Sequence, residues 1–320
     1  MKKVYFDDII KLVEFDTNDT NNDISNIIIC IGYIFTNEIL VNNIDIFKKI
    51  QGLCLSLEYT GTQITEIPKE LINLQHLDCS QTQITEIPKE LVNLQYLDCS
   101  QTQITEIPKE LVNLQYLNCS QTQITEIPIS FINLHSLYCS QTQITEIPKE
   151  LINIIRLTCS CSRITEIPIS FVNLQYLYCS MTPIMEIPKE LINLIRLHCS
   201  WTSITEIPIS FVNLRSLYCS NTQVTWIPKE LIKLQELYCS NTQVTWIPKE
   251  LINLQELYCT NTMITELPVT LEHLIRIGTD CLDITEHKTN VLRYKNKIKD
   301  IIKNGNILND DVNTLLCSYI

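Results

Sequence analysis

Cysteine is the residue type with the widest chemical capacity in this chain, because a thiol can bind metal, form a disulfide or act as a nucleophile. The 320-residue sequence contains 15 cysteines. Ten of them recur every 20 residues, at Cys79, Cys99, Cys119, Cys139, Cys159, Cys179, Cys199, Cys219, Cys239 and Cys259. This spacing lacks the Cys-x-x-Cys pairs of zinc sites, so we predict no bound metal.

Catalytic chemistry has little support in the remaining residues. The five histidines lie far apart in the sequence, at His76, His135, His198, His273 and His287. No His-Glu-x-x-His, glycine-rich phosphate loop or Gly-x-Ser-x-Gly is present. Glutamate and lysine recur in every repeat and are expected at the surface, whereas an active site needs unique residues. We therefore predict that the chain is not an enzyme, with no cofactor and no small-molecule substrate.

A 20-residue period extends through most of the chain and must position all of these residues. Eleven prolines follow it, from Pro68 to Pro268 without a gap. In one unit we expect the inward side chains to be Leu74, Leu77, Cys79, Ile84, Ile87 and Leu91. Leu77 and Cys79 alternate with polar Asp78, as in a strand. Twenty residues cannot enclose a core, so successive units must stack and bury these side chains between them.

This stacking explains the regular cysteines without any chemistry. A buried thiol packs as a small apolar group. Neighbouring parallel strands hold their side chains about 4.8 Å apart and pointing the same way, which is an awkward geometry for a disulfide. We predict a ladder of buried, reduced thiols, with Cys161 outside the core. Reduced thiols favour an intracellular compartment.

The repeated motif resembles a known family. Leu-x-x-Leu-x-Cys-x-x-Thr-x-Ile, followed by Ile-Pro-x-x-Leu-x-x-Leu, is similar to the leucine-rich repeat in a short, bacterial-like form, over residues 54 to about 284. The resemblance implies an α/β solenoid: a horseshoe with a parallel β-sheet on the concave face and short turns or 3-10 segments on the convex face. The family's turn asparagine is replaced by Thr82 and its equivalents, whose hydroxyl we expect to bond backbone groups instead.

The period divides the chain into three parts. Residues 1–50 are predicted to form an N-terminal cap, partly helical because Phe6 to Val13 has helical spacing. Residues 51–285 are predicted to form the leucine-rich-repeat array, of about twelve 20-residue coils. Residues 286–320 are predicted to form a C-terminal helical cap, since apolar residues from Val291 onward follow a helical period. Its basic residues fit either a solvated face or an anionic docking site.

Charge and hydropathy limit the partners. The net charge is −12, which repels phosphate backbones, so we predict no nucleic-acid partner. The most apolar run, Ile27 to Phe35, is too short to cross a bilayer, and the N-terminus becomes acidic where a signal peptide would be apolar. We therefore expect no membrane association and a location in the cytoplasm.

The family's usual ligand face is the concave sheet, which directs attention to the outward strand residues. In the coils from Arg156 to Tyr218 these side chains are rich in Tyr, Trp and Arg, which dominate interface hot spots. We predict that a protein or peptide docks on Arg156, Tyr176, Tyr178, Met181, Arg196, His198, Trp201 and Tyr218. The alternative is neutral drift among duplicated coils, because tyrosine also suits strands.

The predicted function is a non-catalytic protein–protein interaction scaffold. Two alternatives stay open: a structural repeat protein without a specific ligand, and a host-directed ubiquitin-ligase adaptor. The adaptor would need a partner-binding motif within residues 1–50, where no F-box pattern is evident. Near-perfect repeats rich in Ile, Asn and Lys resemble repeat proteins of large DNA viruses and intracellular microbes, which implies a viral or effector-like protein in a host cytoplasm.

Overall fold

The structure, a computed structural model, describes residues 2–4, 27–30, 53–56, 64–278 and 284–303. Its residues group into two compact units, Met1–Leu174 and Gln175–Ile320. Both units are built from parallel strands, which follow one another at a 20-residue interval from Leu74 onward, and this confirms the predicted α/β solenoid fold class. The two units have the same coil and are described in turn.

The first unit contains eight short strands that pair in sequence order and in parallel. They are β1 (Lys2–Val4), β2 (Ile27–Cys30), β3 (Leu53–Ser56), β4 (Leu74–Asp78), β5 (Tyr96–Asp98), β6 (Tyr116–Asn118), β7 (Ser136–Tyr138) and β8 (Arg156–Thr158). From β4 onward each residue pairs with the one 20 positions later, as Leu77 does with Leu97. The β3–β4 register is irregular between Leu53 and Cys54.

The second unit continues the same pattern and ends in a helix. Its strands are β9 (Tyr176–Tyr178), β10 (Arg196–His198), β11 (Ser216–Tyr218), β12 (Glu236–Tyr238), β13 (Glu256–Tyr258) and β14 (Arg276–Gly278), followed by α1 (Ile284–Lys303). Gly278 closes the sheet under the Tyr258 ring, where a Cβ atom would lie 2.2 Å from Tyr258 Cδ1. Only glycine leaves room for the ring in this position.

The six inward positions are buried in the described coils, as the periodicity predicts, except at Leu267 and Ile277 near the end of the array, which are half-buried. In the coil that begins with β5, the exposed fractions of Leu97, Cys99, Ile104 and Leu111 are all 0%. Each such side chain contributes roughly 1.5–3 kcal/mol by leaving water. Three coils carry Phe at the position that Leu91 occupies in its own coil. These rings are the largest fully buried side chains: Phe131, Phe171 and Phe211. Stacked coils thus share one continuous apolar interior within each unit.

The return side of each coil consists of two consecutive turns. Leu71 N–H donates to Pro68 O at 3.2 Å, and Leu74 N–H donates to Leu71 O at 2.9 Å. Proline fixes φ and needs no hydrogen-bond partner for its nitrogen, which suits the first turn. Within residues 64–278 no helix forms on this side. The prediction of short turns is therefore confirmed.

The repeated threonine closes its own coil. Thr82 Oγ1 donates to Cys79 O at 2.6 Å, and the same bond recurs in the following coils, including Ser162 to Cys159 O. The hydroxyl does bond backbone, as expected. It binds within one coil, however, and does not link neighbouring coils as the family's asparagine ladder does.

A different asparagine links neighbouring coils instead. Asn93 Nδ2 donates to Ile72 O of the preceding coil at 2.8 Å. Equivalent bonds are made by Asn113, Asn133, Asn153, Asn173, Asn213 and Asn253. The sequence carries this signal, because Asn stands two places after the inward Leu or Phe in every coil from Asn73 to Asn213 and again at Asn253. The ladder satisfies return-side carbonyls that the turns leave free.

The predicted caps lie mostly outside the described residues. The helix expected over Phe6 to Val13 is in that category, so the domain boundaries stay a prediction. At the other end, α1 lies beside the last coil, where Lys295 Nζ contacts Glu272 Oε2 at 2.6 Å. The side chains of Lys288, Arg293 and Lys297 are exposed. Among the described residues, no helix has the length and apolar character needed to cross a membrane.

Candidate functional site

The structure brings seven of the eight predicted site residues together in the second unit. Parallel register places Arg196 between Tyr176 and Ser216, and His198 between Tyr178 and Tyr218. We call this set the sheet-face patch: Tyr176, Tyr178, Met181, Arg196, His198, Trp201 and Tyr218. The eighth residue, Arg156, lies on β8 of the first unit, beside Ser136 on β7.

An aromatic row forms the base of the sheet-face patch. The ring centroids of Tyr178 and His198 are 4.4 Å apart, and those of His198 and Tyr218 are 3.8 Å apart with planes at 19°. The row continues through Tyr238 and Tyr258, at 4.2 and 4.4 Å. Each ring pair adds about 0.5–1.5 kcal/mol beyond its burial. The row is therefore longer than the predicted set of residues, because it includes Tyr238 and Tyr258.

His198 is held neutral at the centre of this row. Burial, together with the positive charge of Arg196, lowers the pKa of its imidazole to about 4, and the charge of Glu236 opposes both effects. Its Nε2 atom is buried and has no hydrogen-bond partner. At neutral pH the ring therefore acts as an uncharged stacking surface.

Two glutamates that sequence reasoning left out of the site orient its rings. Tyr218 Oη donates to Glu236 Oε2 at 2.9 Å, and Tyr238 Oη donates to Glu256 Oε2 at 3.0 Å. Burial raises the pKa of Tyr218 to about 12, with further contributions from the hydrogen bond and charge of Glu236. Arg196 Nη2 lies 3.9 Å from Glu236 Oε2. These contacts fix a guanidinium beside the aromatic row.

Met181 and Trp201 occupy an unusual backbone position at the edge of the patch. Their φ angles are 58° and 60°, in the left-handed region that residues with a Cβ atom rarely adopt. The conformation recurs in every coil from Gln81 to Asn261, because the residue's N–H donates to the next coil, as Trp201 N does to Ser220 O at 3.0 Å. The two side chains are 60% and 62% exposed.

The first unit has a sheet face of a different character. His76, Tyr96 and Tyr116 stack with centroids 3.9 and 4.2 Å apart. Its acidic groups bond within the unit: Asp98 accepts hydrogen bonds from Ser100 and from Asn118 Nδ2, at 2.6 and 2.8 Å. Burial lowers the pKa of His76 in spite of the two nearby aspartates. This face offers few free charges to a partner.

The cysteine ladder is buried, and its thiols are free, as predicted. Cys99 N donates to Asn118 O at 2.8 Å, which places Cys99 and Cys119 side by side just after paired strands. Burial raises the pKa of the Cys119 thiol to about 12, so the nucleophilic thiolate is scarce. Cys161 is exposed, as expected. Among the described residues, no group of three His, Cys, Asp or Glu side chains is placed to hold a metal ion.

Sequence reasoning also missed a second surface feature. Trp226 and Trp246 line a groove of about 620 Å³ in the second unit, on the segment between the turn and the proline. The signal was present, because both tryptophans stand where the other described coils carry glutamate, as in Glu86 and Glu106.

Comparison with known proteins agrees with this geometry. A family model described as leucine-rich repeats in two copies matches residues 72–111 and 92–131. These coils are leucine-rich repeats. Proteins built from such repeats generally mediate protein–protein interactions through the surfaces of the solenoid. No curated protein matches the chain in sequence.

Solved structures show the same fold in distant proteins. A leucine-rich-repeat protein of Leptospira interrogans is 22% identical, with a TM-score of 0.65, covering 91% of this chain and 93% of its own. The functional domain of InlJ from Listeria monocytogenes, described as including a cysteine ladder, is 22% identical with a TM-score of 0.54, covering 70% of this chain and 66% of its own. The plant peptide hormone receptor RGFR1, in complex with RGF2, is 22% identical with a TM-score of 0.51. The match covers 81% of this chain and 54% of the receptor chain.

Proposed function

We propose that this leucine-rich-repeat chain is a non-catalytic scaffold that binds a protein or peptide partner on the sheet-face patch of its second unit. The observation that carries the proposal is the exposure of Trp201 and Met181 in the left-handed conformation. Asparagine, which tolerates this conformation, stands at the same position in the next three coils: Asn221, Asn241 and Asn261. A bulky apolar residue there costs stability and gains no burial, which favours a role in binding.

The neighbouring side chains suit an interface. Tyr, Trp and Arg contribute most to binding hot spots because they present large, rigid contact areas. In the patch the aromatic row is already stacked, so a partner loses little side-chain entropy by ordering it. The Arg196 side chain is 40% exposed, and its guanidinium has five N–H groups with which to bind a carboxylate at the edge of the row. A partner that presents an apolar group and a carboxylate would match this surface.

The experiment compares capture of partners by the full chain and by the double variant Y178T/W201N. Both replacements are residues that the same chain carries at equivalent positions, Thr158 and Asn221, so the coil geometry is preserved. We expect at least tenfold weaker binding of whichever partner the wild-type chain captures. The matched control, Y258T/N261Q, changes equivalent positions outside the patch and should bind as the wild type does.

Two results would contradict the proposal. Equal capture by the wild type and by Y178T/W201N would remove the patch as the binding surface. Reproducible absence of any partner would favour the structural repeat protein without a specific ligand. Circular dichroism of each variant separates lost binding from lost fold.

We further propose that the protein acts inside the cell, in a reducing compartment. The free, buried thiols of the cysteine ladder support this location, because disulfides form and persist in oxidising compartments and are rare where thiols are kept reduced. A viral or effector-like protein in a host cytoplasm fits the same chemistry. Fractionation of expressing cells, with alkylation of Cys161 as a reporter of the reduced state, tests the location. Recovery of the chain outside the cell with Cys161 oxidised would contradict it.

A further inference from the structure

The tryptophan groove of the second unit lies on the return side of four consecutive coils, away from the strands that carry the sheet-face patch. Its volume is about 620 Å³, and its apolar walls include Ile209, Trp226, Trp246 and Val269. Trp246 and Ile209 are each 57% exposed. Two adjacent indoles and an isoleucine thus form a concave apolar surface that no described residue covers.

The groove arises from two substitutions in an otherwise uniform row. The residue two places before the proline is glutamate in nine coils: Glu66, Glu86, Glu106, Glu126, Glu146, Glu166, Glu186, Glu206 and Glu266. Trp226 and Trp246 replace it in two consecutive coils. A row of solvated carboxylates is interrupted there by a pair of π faces, which attract cations.

One residue that lines the same groove, Glu230, has an unsatisfied carboxylate oxygen. Glu230 Oε2 is buried and has no hydrogen-bond partner, although Glu230 lines the groove. Equivalent glutamates in the other described coils have no such buried oxygen. Burying a carboxylate oxygen without a donor is costly, so the site is complementary to a donor that carries positive charge.

We propose that this groove binds an arginine side chain of a basic peptide. The planar guanidinium can stack on an indole while its N–H groups donate to the Glu230 carboxylate, a combination that the spherical ammonium of lysine cannot reproduce. The aliphatic part of the side chain would pack on Ile209 and Val269. The net charge of −12 attracts a basic peptide to the chain at long range.

Two lysines in the groove lining, Lys229 and Lys249, raise the opposite possibility of an acidic peptide. Lys229 is exposed and Lys249 is half-buried. Among the described residues, no lysine nitrogen is both buried and without a partner, whereas Glu230 Oε2 is. The unmet requirement in the groove is therefore for a donor, which favours arginine.

The experiment uses tryptophan fluorescence of the full chain carrying W201N. The chain has three tryptophans, so this variant reports only on Trp226 and Trp246. The probes are three acetylated and amidated pentapeptides: Gly-Leu-Arg-Leu-Gly and its versions with central Gln or Glu. We expect saturable fluorescence changes at millimolar concentration for the arginine peptide, with at least tenfold weaker binding of the other two.

Variants of the full chain then test each contact by calorimetry. W226E/W246E restores the residue that nine other coils carry, and should abolish binding of the arginine peptide without disturbing the coil. E230Q should weaken binding at least fivefold. E250Q is the matched control in the next coil, where the glutamate has no buried unpaired oxygen, and should weaken binding less than twofold.

Three results would overturn the proposal: no binding of the arginine peptide, equal or tighter binding of the Gln or Glu peptide, or undiminished binding by W226E/W246E. Because the sheet-face patch is untouched in W226E/W246E, capture of a patch partner by this variant would separate failure of this site from failure of the proposed function.

Discussion

At the scale of single residues, the left-handed turn position makes Trp201 a source of strain. For an L-residue with a Cβ atom, this conformation lowers the stability of the fold by roughly 1 kcal/mol, and the cost is smaller for asparagine. We therefore predict that W201N raises the stability of the chain by roughly 0.5–1 kcal/mol. Urea unfolding followed by circular dichroism measures the change. The reverse substitution, N241W, should lower stability by a similar amount, and a lower midpoint for W201N would show that the indole is stabilising.

His198 links stability to pH through its depressed pKa. The folded imidazole has a pKa of about 4, below its ordinary value of 6.5, so the unfolded chain binds the proton more readily between these values. By linkage, this residue causes stability to fall as pH falls from about 6.5 toward about 4. Protonating the folded ring would place a cation beside Arg196 in a stack of aromatic rings.

We predict that H198Y, which continues the tyrosines of Tyr178 and Tyr218, loses less stability than the wild type over that pH range. Thermal unfolding at pH 7 and pH 4.5 measures the difference between the two proteins, so effects of carboxylate protonation cancel. H135Q is the control, because its exposed side chain is replaced by the residue of the preceding coil. Parallel pH dependence of H198Y and the wild type would contradict the prediction.

At the scale of the coil, burial could be predicted from the sequence, whereas the partner of each side-chain hydrogen bond could not. The positions of Leu77, Cys79 and Ile84 stay apolar in every coil from residue 74 to residue 264, with only Val224 and Val244 in place of isoleucine. A 20-residue unit with those apolar positions has one way to bury them. The positive φ at Gln81 is not marked by glycine, and it follows from backbone bonds between coils. Whether a hydroxyl bonds within or between coils depends on distances that no period reveals.

The candidate site shows the same division. Composition alone directed attention to the Tyr-, Trp- and Arg-rich coils, and register then places seven of the eight residues in one unit. The tyrosine–glutamate bonds of Tyr218 and Tyr238 depend on side-chain rotamers. The tryptophan groove is recognised from two features. The replacement of glutamate by tryptophan is visible in the sequence, whereas the unpaired oxygen of Glu230 is visible only in the structure.

The threonine that closes each coil makes a contribution to the free energy of unfolding that a single substitution can measure. Thr142 is 2% exposed and donates to Cys139 O at 2.7 Å. We predict that T142V, which keeps the shape and removes the donor, costs about 1–3 kcal/mol because the buried carbonyl loses its bond. Chemical unfolding measures this. T145V, at an exposed position in the same coil, should change stability by less than about 0.5 kcal/mol, and equal costs would argue against the bond.

At the scale of the whole molecule, a solenoid of equivalent coils should tolerate loss of an entire coil and not of half a coil. Each coil contacts only its neighbours, so stability is close to a sum of coil and interface contributions. Removing residues 89–108 joins Pro88 to Lys109 and preserves the sequence pattern. Tyr116 then takes the place of Tyr96 against His76, and the interior remains continuous.

We predict that the chain lacking residues 89–108 keeps the circular dichroism spectrum of the wild type and loses a few degrees in melting temperature. The chain lacking residues 89–98 should fail to form the cooperative fold, because this deletion joins Pro88 to Cys99 and places every following inward residue half a coil out of register. Both deletions lie in the first unit and leave the sheet-face patch and the tryptophan groove intact in sequence. If the ten-residue deletion melted as cooperatively as the twenty-residue one, inward positions would not be what holds successive coils together.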